Sequence, residues 1–571
     1  MFPYTLARSH VPVEGPVAME KTMQRKLLLS ATVGLAGALF QSAPTPVLAD
    51  GAAVLAGHVT SAAEGAMEGV VVTARKAGGK FSVSVISDAQ GHYSFPADRL
   101  DPGQYAITIR AVGYELGGKA TADVSAAKTA TVDLKLDQTK KLAAQLTNAE
   151  WVMSIPGNEE QKSYLLNCTG CHTLERIVRS SYNADEWTHI ITRMQGYAAV
   201  SQPIKPQRVI DPARAAEPEQ NRRPAEYFAT INQSQGPWQY ELKTMPRPKG
   251  RATKVIITEY DLLRPTTEPH DIVVDKDGMV WYSDFGELNI TKFDPKTLKI
   301  TEYATQEFKP GFPVGNLDLE IAKDGTFWFD TMYQAALGNL DPKSGEIKYY
   351  PLAKEFNDFR VQMNFVGLRH DVDGKVWSKN VATGDIFRVD LKSQAWERFQ
   401  PLKELANGKR NTIYQVISDS KNNLWMAEFV NGYLGKLDAQ TLKTTWYQVP
   451  TPNARARRMM VDEQDNVWVT EYRGNKVAKF DPATEKFTEY QMPPLTFPYR
   501  AMVDTNGEIW TGGMSTDRMV RHDTKTGESV EYLLPANTNI RSVWADNSGP
   551  RTAVWTGSNH RAALVKVEPL D

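Results

Sequence analysis

Cysteine is almost absent from this chain of 571 residues, which contains only Cys168 and Cys171. A structural zinc site needs four ligands, and no other cysteine is available to supply them. A thioredoxin-like site needs a βαβ context, which the sequence around Cys168 does not have. A disulfide between these two cysteines would close a small strained loop of the kind found in redox-active sites. The scarcity therefore indicates that this pair performs chemistry.

Charge of one sign and long apolar runs are also scarce. The 66 Lys and Arg residues balance 67 Asp and Glu residues, which leaves a net charge of −1 without basic blocks. Nothing in this distribution points to a nucleic-acid partner. Beyond the N-terminal region no segment is apolar enough to span a membrane. We therefore expect no transmembrane anchor after signal cleavage.

The one apolar run that needs an explanation is Leu27–Phe40, near the N-terminus. It follows basic residues and precedes small residues, which is the layout of a secretory signal peptide. The run is too short to stay in a bilayer as a membrane-spanning helix. A buried N-terminal helix is the alternative. We expect residues 1–49 to be an extension and signal peptide, cleavage before Asp50, and a periplasmic mature protein.

His172 directly follows the two cysteines and completes the motif C-x-x-C-H. This motif attaches c-type haem. Thiols one helical turn apart can both reach the haem vinyl groups, and the histidine can then ligate the iron from one side. We predict one covalently bound haem c, held by Cys168 and Cys171, with His172 as an iron ligand.

Residues 150–234 resemble the single-haem cytochrome c family. A short helix over residues 158–166 precedes the motif, a helix with a W-x-x-I-x-x-x-M-like pattern follows it, and a Y-F-x-x-I helix ends the segment. The resemblance implies a small all-α cytochrome c domain with methionine as the sixth iron ligand. Met194 is the methionine between the motif and the last helix. His189, Met245 and plain core packing of Met194 remain the alternatives.

Two segments without a regular pattern flank the last of these helices. Residues 196–223 are rich in proline, and we expect them to wrap the haem edge or a neighbouring domain. Residues 235–252 are expected to form a linker.

Residues 50–140 contain short strands with period-two alternation of apolar residues. The segments S-D-A-Q-G-H-Y at 87–93 and P-G-Q-Y at 102–105 resemble carboxypeptidase regulatory-like domains. The resemblance implies an immunoglobulin- or transthyretin-like β-sandwich that acts as a spacer or docking surface. His58 and His92 are lone histidines on strands, for which we expect no function.

Residues 253–571 repeat a pattern in which one tryptophan recurs at intervals of 42 to 49 residues. Such a repeat, with four short strands, is typical of a propeller blade. The last repeat lacks a fourth strand, and residues 254–260 match it, so we expect them to close a seven-bladed ring. The repeated tryptophans are Trp281, Trp328, Trp377, Trp425, Trp468, Trp510 and Trp555.

This repeat resembles the streptogramin (virginiamycin B) lyase family of seven-bladed propellers. In that family an acidic residue and a histidine two positions apart precede the tryptophan of one blade, a second carboxylate follows it, and magnesium completes the site. The resemblance implies that Glu268 and Asp284 bind Mg²⁺ and that His270 is catalytic. Asp284 stands where glutamate is expected. The family's second histidine has no counterpart, and Arg541 and Asn316 lie near its position.

Asp277-Gly278 suits a hairpin turn between the first two strands of this blade. The start of the first strand and the end of the second then meet on one face, where we expect polar residues of the other blades to gather. Carboxylates suit magnesium, and arginines suit an anionic or carbonyl-bearing substrate. Ordinary solvated loops are the alternative, which we favour for Glu428 and Glu471 taken singly. The other expected members are Asp318, Asn380, Gln415, Arg457, Arg458, Tyr499 and Arg500.

Two functional hypotheses follow, and the sequence favours the first because the haem is the group it specifies most strongly. In the first, a small-molecule substrate or electron donor binds the propeller face of an exported oxidoreductase. The haem accepts its electrons, and a soluble or membrane-bound redox partner receives them. In the second, the propeller is a magnesium-dependent lyase with an accessory haem domain. A non-catalytic electron carrier or binding protein is a weaker third. The propeller histidines are too scattered for a multi-copper centre: His270, His370, His522 and His560.

Overall fold

The computed structural model describes residues 53–166, 168–209, 218–232, 240–365, 369–405 and 408–571. The expected signal peptide lies outside the described residues. The described chain is mainly β, with an N-terminal sandwich-like domain, a segment of short helices and a C-terminal propeller. None of the described helices combines the length and the apolar character needed to cross a membrane.

The N-terminal strands form two sheets around one apolar core, as predicted. In one sheet the order is β2-β1-β10-β7, with β5 and β9 also paired to β1; the other has the order β4-β3-β6-β8. The carboxylate of Asp88 accepts the backbone N–H groups of Gln90 and His92 at 2.9 and 2.8 Å, which explains the D-x-x-G-x-Y signature. The strands are β1 Ala53–Ser61, β2 Gly65–Ala66, β3 Val71–Lys76, β4 Phe81–Ile86, β5 His92–Pro96, β6 Gly103–Arg110, β7 Tyr114–Leu116, β8 Ala120–Val124, β9 Ala130–Thr131 and β10 Leu134–Gln138.

Short helices follow, close to the predicted positions. The N-cap of α4 is Asn183, whose side chain accepts the N–H of Glu186 at 3.0 Å. Trp187 of α4 packs edge-on against Phe228 of α5, with ring centroids 5.3 Å apart. Short helices of this kind do not establish a cytochrome c fold, and that assignment stays a prediction. The helices are α1 Asn148–Ser154, α2 Glu159–Leu166, α3 Glu175–Val178, α4 Ala184–Gln195 and α5 Arg222–Ile231.

Within the described residues, the rest of the chain forms a propeller of seven blades, numbered here in chain order. Strand β11 is Val255–Asp261. Blade 1 consists of β12 Pro269–Val274, β13 Val280–Asp284, β14 Asn289–Asp294 and β15 Lys299–Ala304. Blade 2 consists of β16 Leu319–Ile321, β17 Phe327–Asp330, β18 Ala336–Leu340 and β19 Ile347–Pro351. Blade 3 consists of β20 Met363–Phe365, β21 Lys375–Asn380, β22 Ile386–Asp390 and β23 Trp396–Phe399. A further short helix, α6 His370–Asp373, lies in blade 3.

Blades 4 to 6 are four-stranded sheets as well, and blade 7 contributes three strands before the chain ends. Blade 4 consists of β24 Ile413–Ser418, β25 Leu424–Glu428, β26 Tyr433–Leu437 and β27 Thr444–Gln448, and blade 5 of β28 Ala456–Val461, β29 Val467–Glu471, β30 Lys476–Asp481 and β31 Lys486–Gln491. Blade 6 consists of β32 Ala501–Val503, β33 Glu508–Gly512, β34 Arg518–Asp523 and β35 Ser529–Leu533. Blade 7 contributes β36 Val543–Asp546, β37 Ala553–Ser558 and β38 Ala563–Pro569.

The repeated tryptophans all lie on the second strand of a blade and are almost fully buried. In blade 1 the indole N–H of Trp281 donates to the carboxylate of Asp275 at 2.8 Å. The same contact, from tryptophan to the aspartate six residues earlier, recurs in blades 4, 5 and 6. The repeat thus encodes both a core side chain and the turn that precedes it.

The ring closes as predicted, because β11 pairs with β38 as the fourth strand of blade 7. Ile257 lies opposite Val567 in this antiparallel register. Closure ties the start of the propeller sequence to its end, which removes the open sheet edge that would otherwise remain there.

The other edge of β11 pairs with β4, so that blade 7 and one sheet of the sandwich form a single eight-stranded sheet. Tyr260 lies opposite Phe81 in this register. Beside this junction the guanidinium of Arg110 donates to Asp517 at 2.6 Å and to the carbonyl of Leu534 at 2.7 Å. The sandwich is therefore continuous with the propeller rather than a spacer beside it.

Candidate functional site

The first strands of blades 1, 4 and 5 share a β-bulge near their starts, on the face where the helical segment lies. The register shifts between Pro269 and Ile272, between Ile413 and Gln415, and between Ala456 and Met459. A bulge adds a residue to one strand and re-aims its side chains. These bulges contain the residues that meet at the centre of the propeller.

A chain of hydrogen bonds runs through this centre from blade 1 to blade 4. Asp271 accepts the Nδ1–H of His270 at 2.9 Å, because a carboxylate can only accept. The Nε2 of His270 is then an acceptor, and the hydroxyl of Tyr499 lies 3.3 Å from it. The hydroxyl of Tyr414 donates to that of Tyr499 at 2.9 Å. We call these four residues the relay.

The buried end of the relay is held by ion pairs. Arg458 donates to Asp271 at 2.9 Å and lies 2.8 Å from Asp318. Arg500 reaches Asp271 at 3.2 Å and Glu320 at 3.1 Å. Both arginines are nearly inaccessible to solvent. Paired charges of this kind fix the position of the carboxylate that orients His270.

The pKa values of the relay residues are shifted by burial and by neighbouring charges. Burial lowers the pKa of His270 to about 3, so the imidazole is neutral. Desolvation opposes the ionised form of Asp271, but Arg458, the His270 hydrogen bond and Arg500 outweigh it and hold the pKa of that carboxyl well below its usual value. Desolvation also raises the pKa of Tyr414, but the positive charges of Arg457 and Arg458 outweigh it, so this pKa lies below its usual value.

Arg457 occupies an aromatic cage instead of an ion pair. Its guanidinium lies 4.2 Å from the ring centroid of Tyr499, 4.4 Å from that of Tyr472 and 4.9 Å from that of Tyr414. Contacts of a cation with ring faces favour the charged arginine and steady the rings. Its Nε is buried without a hydrogen-bond partner among the described residues.

The structure does not gather Glu268, His270 and Asp284 around a metal position. Both carboxylate oxygens of Glu268 accept side-chain N–H groups, from Asn559 at 3.2 Å and Gln202 at 3.1 Å. Within the described residues, no three His, Cys, Asp or Glu side chains form a group that could hold a metal ion. These donors do not fit the several oxygen ligands that magnesium requires. The predicted Mg²⁺ ligation is not supported by this arrangement.

Asp284 has a role that recurs around the ring. Its carboxylate accepts the backbone N–H groups of Glu268 and Gly286 at 3.1 Å. Asn380 and Glu428 accept equivalent N–H groups in blades 3 and 4. The last residue of the tryptophan strand thus fastens the start of its own blade. In blade 1 the guanidinium of Arg264 also lies 4.0 Å from the carboxylate of Asp284.

The expectation of solvated side chains at Glu428 and Glu471 was wrong, because both residues are fully buried. Glu428 is explained by its backbone contacts. Burial and the neighbouring carboxylate of Glu489 raise the pKa of Glu471 to about 8, so Glu471 is mainly protonated at neutral pH.

The C-x-x-C-H turn lies on the mouth of the propeller. The carbonyl of Gly170 accepts a short hydrogen bond from Arg541, and the Nε2 of His560 lies 3.0 Å from the carbonyl of Thr169. Arg541 also lies 3.7 Å from Glu268 and stacks over Phe285, whose ring centroid is 4.7 Å from that of His270. Arg541 therefore joins the motif to the relay through the ring of Phe285.

The segment after α4 crosses the same face, as predicted for a contact with a neighbouring domain. Gln202 reaches Glu268, and the side-chain amide of Gln207 exchanges hydrogen bonds with the backbone of Val314 at 2.7 and 2.9 Å. The backbone N–H of Ala199 donates to the hydroxyl of Tyr333 in blade 2 at 3.1 Å. These contacts cover blades 1 and 2, while Arg541 and His560 anchor the C-x-x-C-H turn to blade 7.

The residues of the motif fit a c-type haem in two respects. Cys168 and Cys171 are free cysteines. His172 points its Nδ1 at the carbonyl of Thr173, 2.9 Å away, which leaves Nε2 available for a metal. Met194 is 42% exposed at the end of α4, and its ligation of iron, like that of His189 or Met245, stays a prediction.

Comparisons with known proteins bear on the two β regions. Residues 54–137 match the carboxypeptidase regulatory-like domain, and residues 402–570 match the virginiamycin B lyase family. The lyase match covers blades 4 to 7. It favours the lyase hypothesis over the redox hypothesis. It includes Tyr414 and Tyr499 but not His270, so it does not assign the relay as a whole.

Three solved structures illustrate the likeness of the propeller. A streptogramin B lyase structure is 22% identical and covers 55% of this chain and 97% of its own, with a TM-score of 0.47. Virginiamycin B lyase from Staphylococcus aureus is 20% identical and covers 55% of this chain and 98% of its own, with a TM-score of 0.45. The Cps50 (Swd1) propeller domain from Myceliophteria thermophila is 10% identical and covers 54% of this chain and 99% of its own, with a TM-score of 0.43. These values add no argument to the fold already described. No curated protein matches the chain.

Asp271, Tyr414 and Lys379 are among the residues of the centre that were not predicted from sequence. Asp271 directly follows His270, and Tyr414 directly precedes Gln415, both of which were predicted to face the centre. Without a bulge, alternation along the strand would turn Asp271 and Tyr414 away, so only knowledge of the two bulges would have revealed them. Lys379 of blade 3 is 1% exposed, donates to Asn364 at 3.1 Å, and has its pKa lowered to about 7 by burial. Asn316 binds backbone carbonyls beside blade 1 and has a structural role.

Proposed function

We propose that the chain is an exported enzyme of the lyase type, which cleaves a small-molecule substrate by elimination at the propeller mouth. The observation that carries the proposal is the relay of Asp271, His270, Tyr499 and Tyr414. It lies in a propeller whose blades 4 to 7 match the virginiamycin B lyase family. Elimination needs a base that takes a proton from carbon and an acid that returns one to the leaving group.

The order of the relay suits this chemistry. Tyr414 is half-buried, whereas Tyr499 and His270 are almost inaccessible, so Tyr414 is the end that a substrate can reach. Arg457 stabilises the phenolate that forms when Tyr414 gives up its proton. Neutral His270 can receive a proton at Nε2 through Tyr499, and Asp271 then stabilises the imidazolium. The same path returns the proton.

Water labelling distinguishes elimination from hydrolysis. The purified chain is incubated with quinupristin, which one solved virginiamycin B lyase structure contains, and with a mixture of small metabolites in H₂¹⁸O. We expect products that carry no ¹⁸O, because elimination adds no water. His270→Ala and Tyr499→Phe should each slow turnover by about 10²–10⁴, the usual contribution of a positioned proton-transfer group.

Tyr490→Phe, on the outer strand of blade 5, is the control and should turn over normally. A parallel incubation with EDTA tests whether turnover needs a metal ion, although both carboxylate oxygens of Glu268 already accept hydrogen bonds. Products labelled with ¹⁸O, or unchanged turnover in His270→Ala, would overturn the proposal.

The oxidoreductase remains a second candidate because Arg541 touches both the C-x-x-C-H turn and the relay region. In that case Cys168 and Cys171 would hold a haem c and the Nε2 of His172 would ligate its iron; the bound haem would supply one-electron chemistry. The haem colour should survive acid–acetone extraction of the denatured protein. Turnover that persists when Cys168 and Cys171 are both replaced by Ala rules out this candidate and leaves the lyase intact.

A further inference from the structure

A groove of about 630 Å³ opens between blades 4 and 5, on the face that carries the relay. Its walls come from the loops that precede the first strand and follow the second strand of blade 5, together with the loop after β25. Thr451, Asn453, Arg455 and Arg473 are among the lining residues. The helical segment makes its described anchoring contacts with blades 1, 2, 6 and 7, away from the opening between blades 4 and 5.

Two arginines of this groove have no acidic partner. Within the described residues neither Arg455 nor Arg473 forms an ion pair. Arg455 is half-buried, and its pKa is lowered by burial and then by the like charge of Arg473. Holding two unneutralised guanidinium groups together is unfavourable unless an anion joins them. Guanidinium groups bind carboxylate and phosphate oxygens in a bidentate manner.

The backbone holds this pair in place. The N–H of Tyr472 donates to the carbonyl of Arg455 at 3.2 Å, and the N–H of Arg473 donates to that of Ala454 at 3.0 Å. Asn453 and Arg455 have φ values of 53° and 54°, a region that residues other than glycine seldom occupy. Strain of this kind is common in ligand clamps.

Side-chain contacts through one aromatic ring connect Arg455 of the groove to the relay. The guanidinium of Arg455 lies 5.3 Å from the ring centroid of Phe429, and that of Arg457 lies 5.8 Å from the same centroid. Phe429 in turn packs 5.2 Å from the ring of Tyr414. A small molecule anchored at Arg455 can therefore extend across Phe429 to Tyr414.

We infer that Arg455 and Arg473 bind an anionic group of the substrate, a carboxylate or a phosphate, and hold the adjacent apolar part against Phe429 beside Tyr414. This inference rests on the proposed function for its substrate but concerns a separate anchor. Glu471 lies behind Gly474 and Thr451 without cancelling the positive charge, because it is mainly protonated at neutral pH.

The test measures binding of phenylacetate, phenyl phosphate and the neutral phenylacetamide to the full chain by titration calorimetry. We expect both anions to bind and phenylacetamide to bind at least about tenfold more weakly, since charge-assisted hydrogen bonds contribute about 1.5–3 kcal/mol. Arg455→Gln with Arg473→Gln should abolish the binding of both anions. Arg360→Gln, an exposed arginine paired with Asp358, is the matched control and should leave binding unchanged.

The relative affinities of the two anions decide between carboxylate and phosphate. Binding that is unaffected by the double variant, equal binding of phenylacetamide, or no binding of either anion at millimolar concentration would overturn the anchor. His270→Ala should bind phenylacetate normally. Anion binding without any turnover would therefore defeat the proposed function alone, whereas normal turnover in the double variant would defeat the anchor alone.

Discussion

Arg457 and Arg458 are neighbours in sequence, yet they belong to two different halves of the propeller mouth. Arg458 lies in a closed half, where arginines and carboxylates pair and the C-x-x-C-H turn covers the rim. Arg457 faces an open half, where Arg455 and Arg473 lack acidic partners among the described residues and a groove reaches the surface. The closed half holds the relay in position, and the open half admits a ligand.

This difference shows that charge alone does not reveal function. Both halves are rich in arginine, and Arg457 and Arg458 stand side by side at the start of the same strand. Pairing decides the role: a buried arginine with two carboxylates is part of the framework, whereas one without any is available to an anion. Substitutions in each half should therefore affect different properties.

The largest expected effect is on the closed half. Arg458→Ala removes the partner of Asp271 and Asp318, two carboxylates without solvent access. Breaking a buried ion pair from one side costs about 3–5 kcal/mol of unfolding free energy. Urea unfolding followed by tryptophan fluorescence should show this loss. Arg455→Ala is the control, and an equal loss there would erase the distinction between the two halves.

An intermediate effect is expected from Glu471, the buried carboxyl behind the open groove. Its folded-state pKa of about 8 lies above the unfolded value of about 4.3. The resulting stability is complete below the unfolded pKa and is lost as the pH rises through about 8. The wild type should therefore lose more unfolding free energy between pH 6 and 9 than Glu471→Gln. Glu463→Gln, at an exposed position of the same blade, should retain the wild-type slope; a wild-type slope in Glu471→Gln would contradict the prediction.

The smallest effect is expected from Arg473→Gln. This side chain is exposed and unpaired within the described residues, and surface substitutions of this kind usually change the unfolding free energy by less than about 0.5 kcal/mol. Removing its repulsion of Arg455 should make the change neutral or slightly stabilising. Urea unfolding at low salt checks this, and a loss above about 1 kcal/mol would mean that Arg473 has a structural partner.

Much of the fold was predictable because its information is local. The tryptophan repeat, the closing strand and the strands of the sandwich follow from short-range alternation and turn residues. The helices were also placed well: the one expected over residues 158–166 is α2, Glu159–Leu166. The spacing of apolar residues along the chain determines whether a segment forms a strand or a helix, independently of the segments that pack against it.

The sequence by itself determined seven blades, a C-x-x-C-H motif and a face on which polar residues meet. Only the tertiary structure decided which of them meet: Tyr499 reaches His270 across 229 positions of sequence. It also extended blade 7 into the sandwich and replaced the expected metal arrangement by Arg541, Asn559 and Gln202 around Glu268. The physical reason is that ring closure and β-bulges bring distant strands to one centre, where pairing of charges, and not spacing in the chain, determines each residue's role.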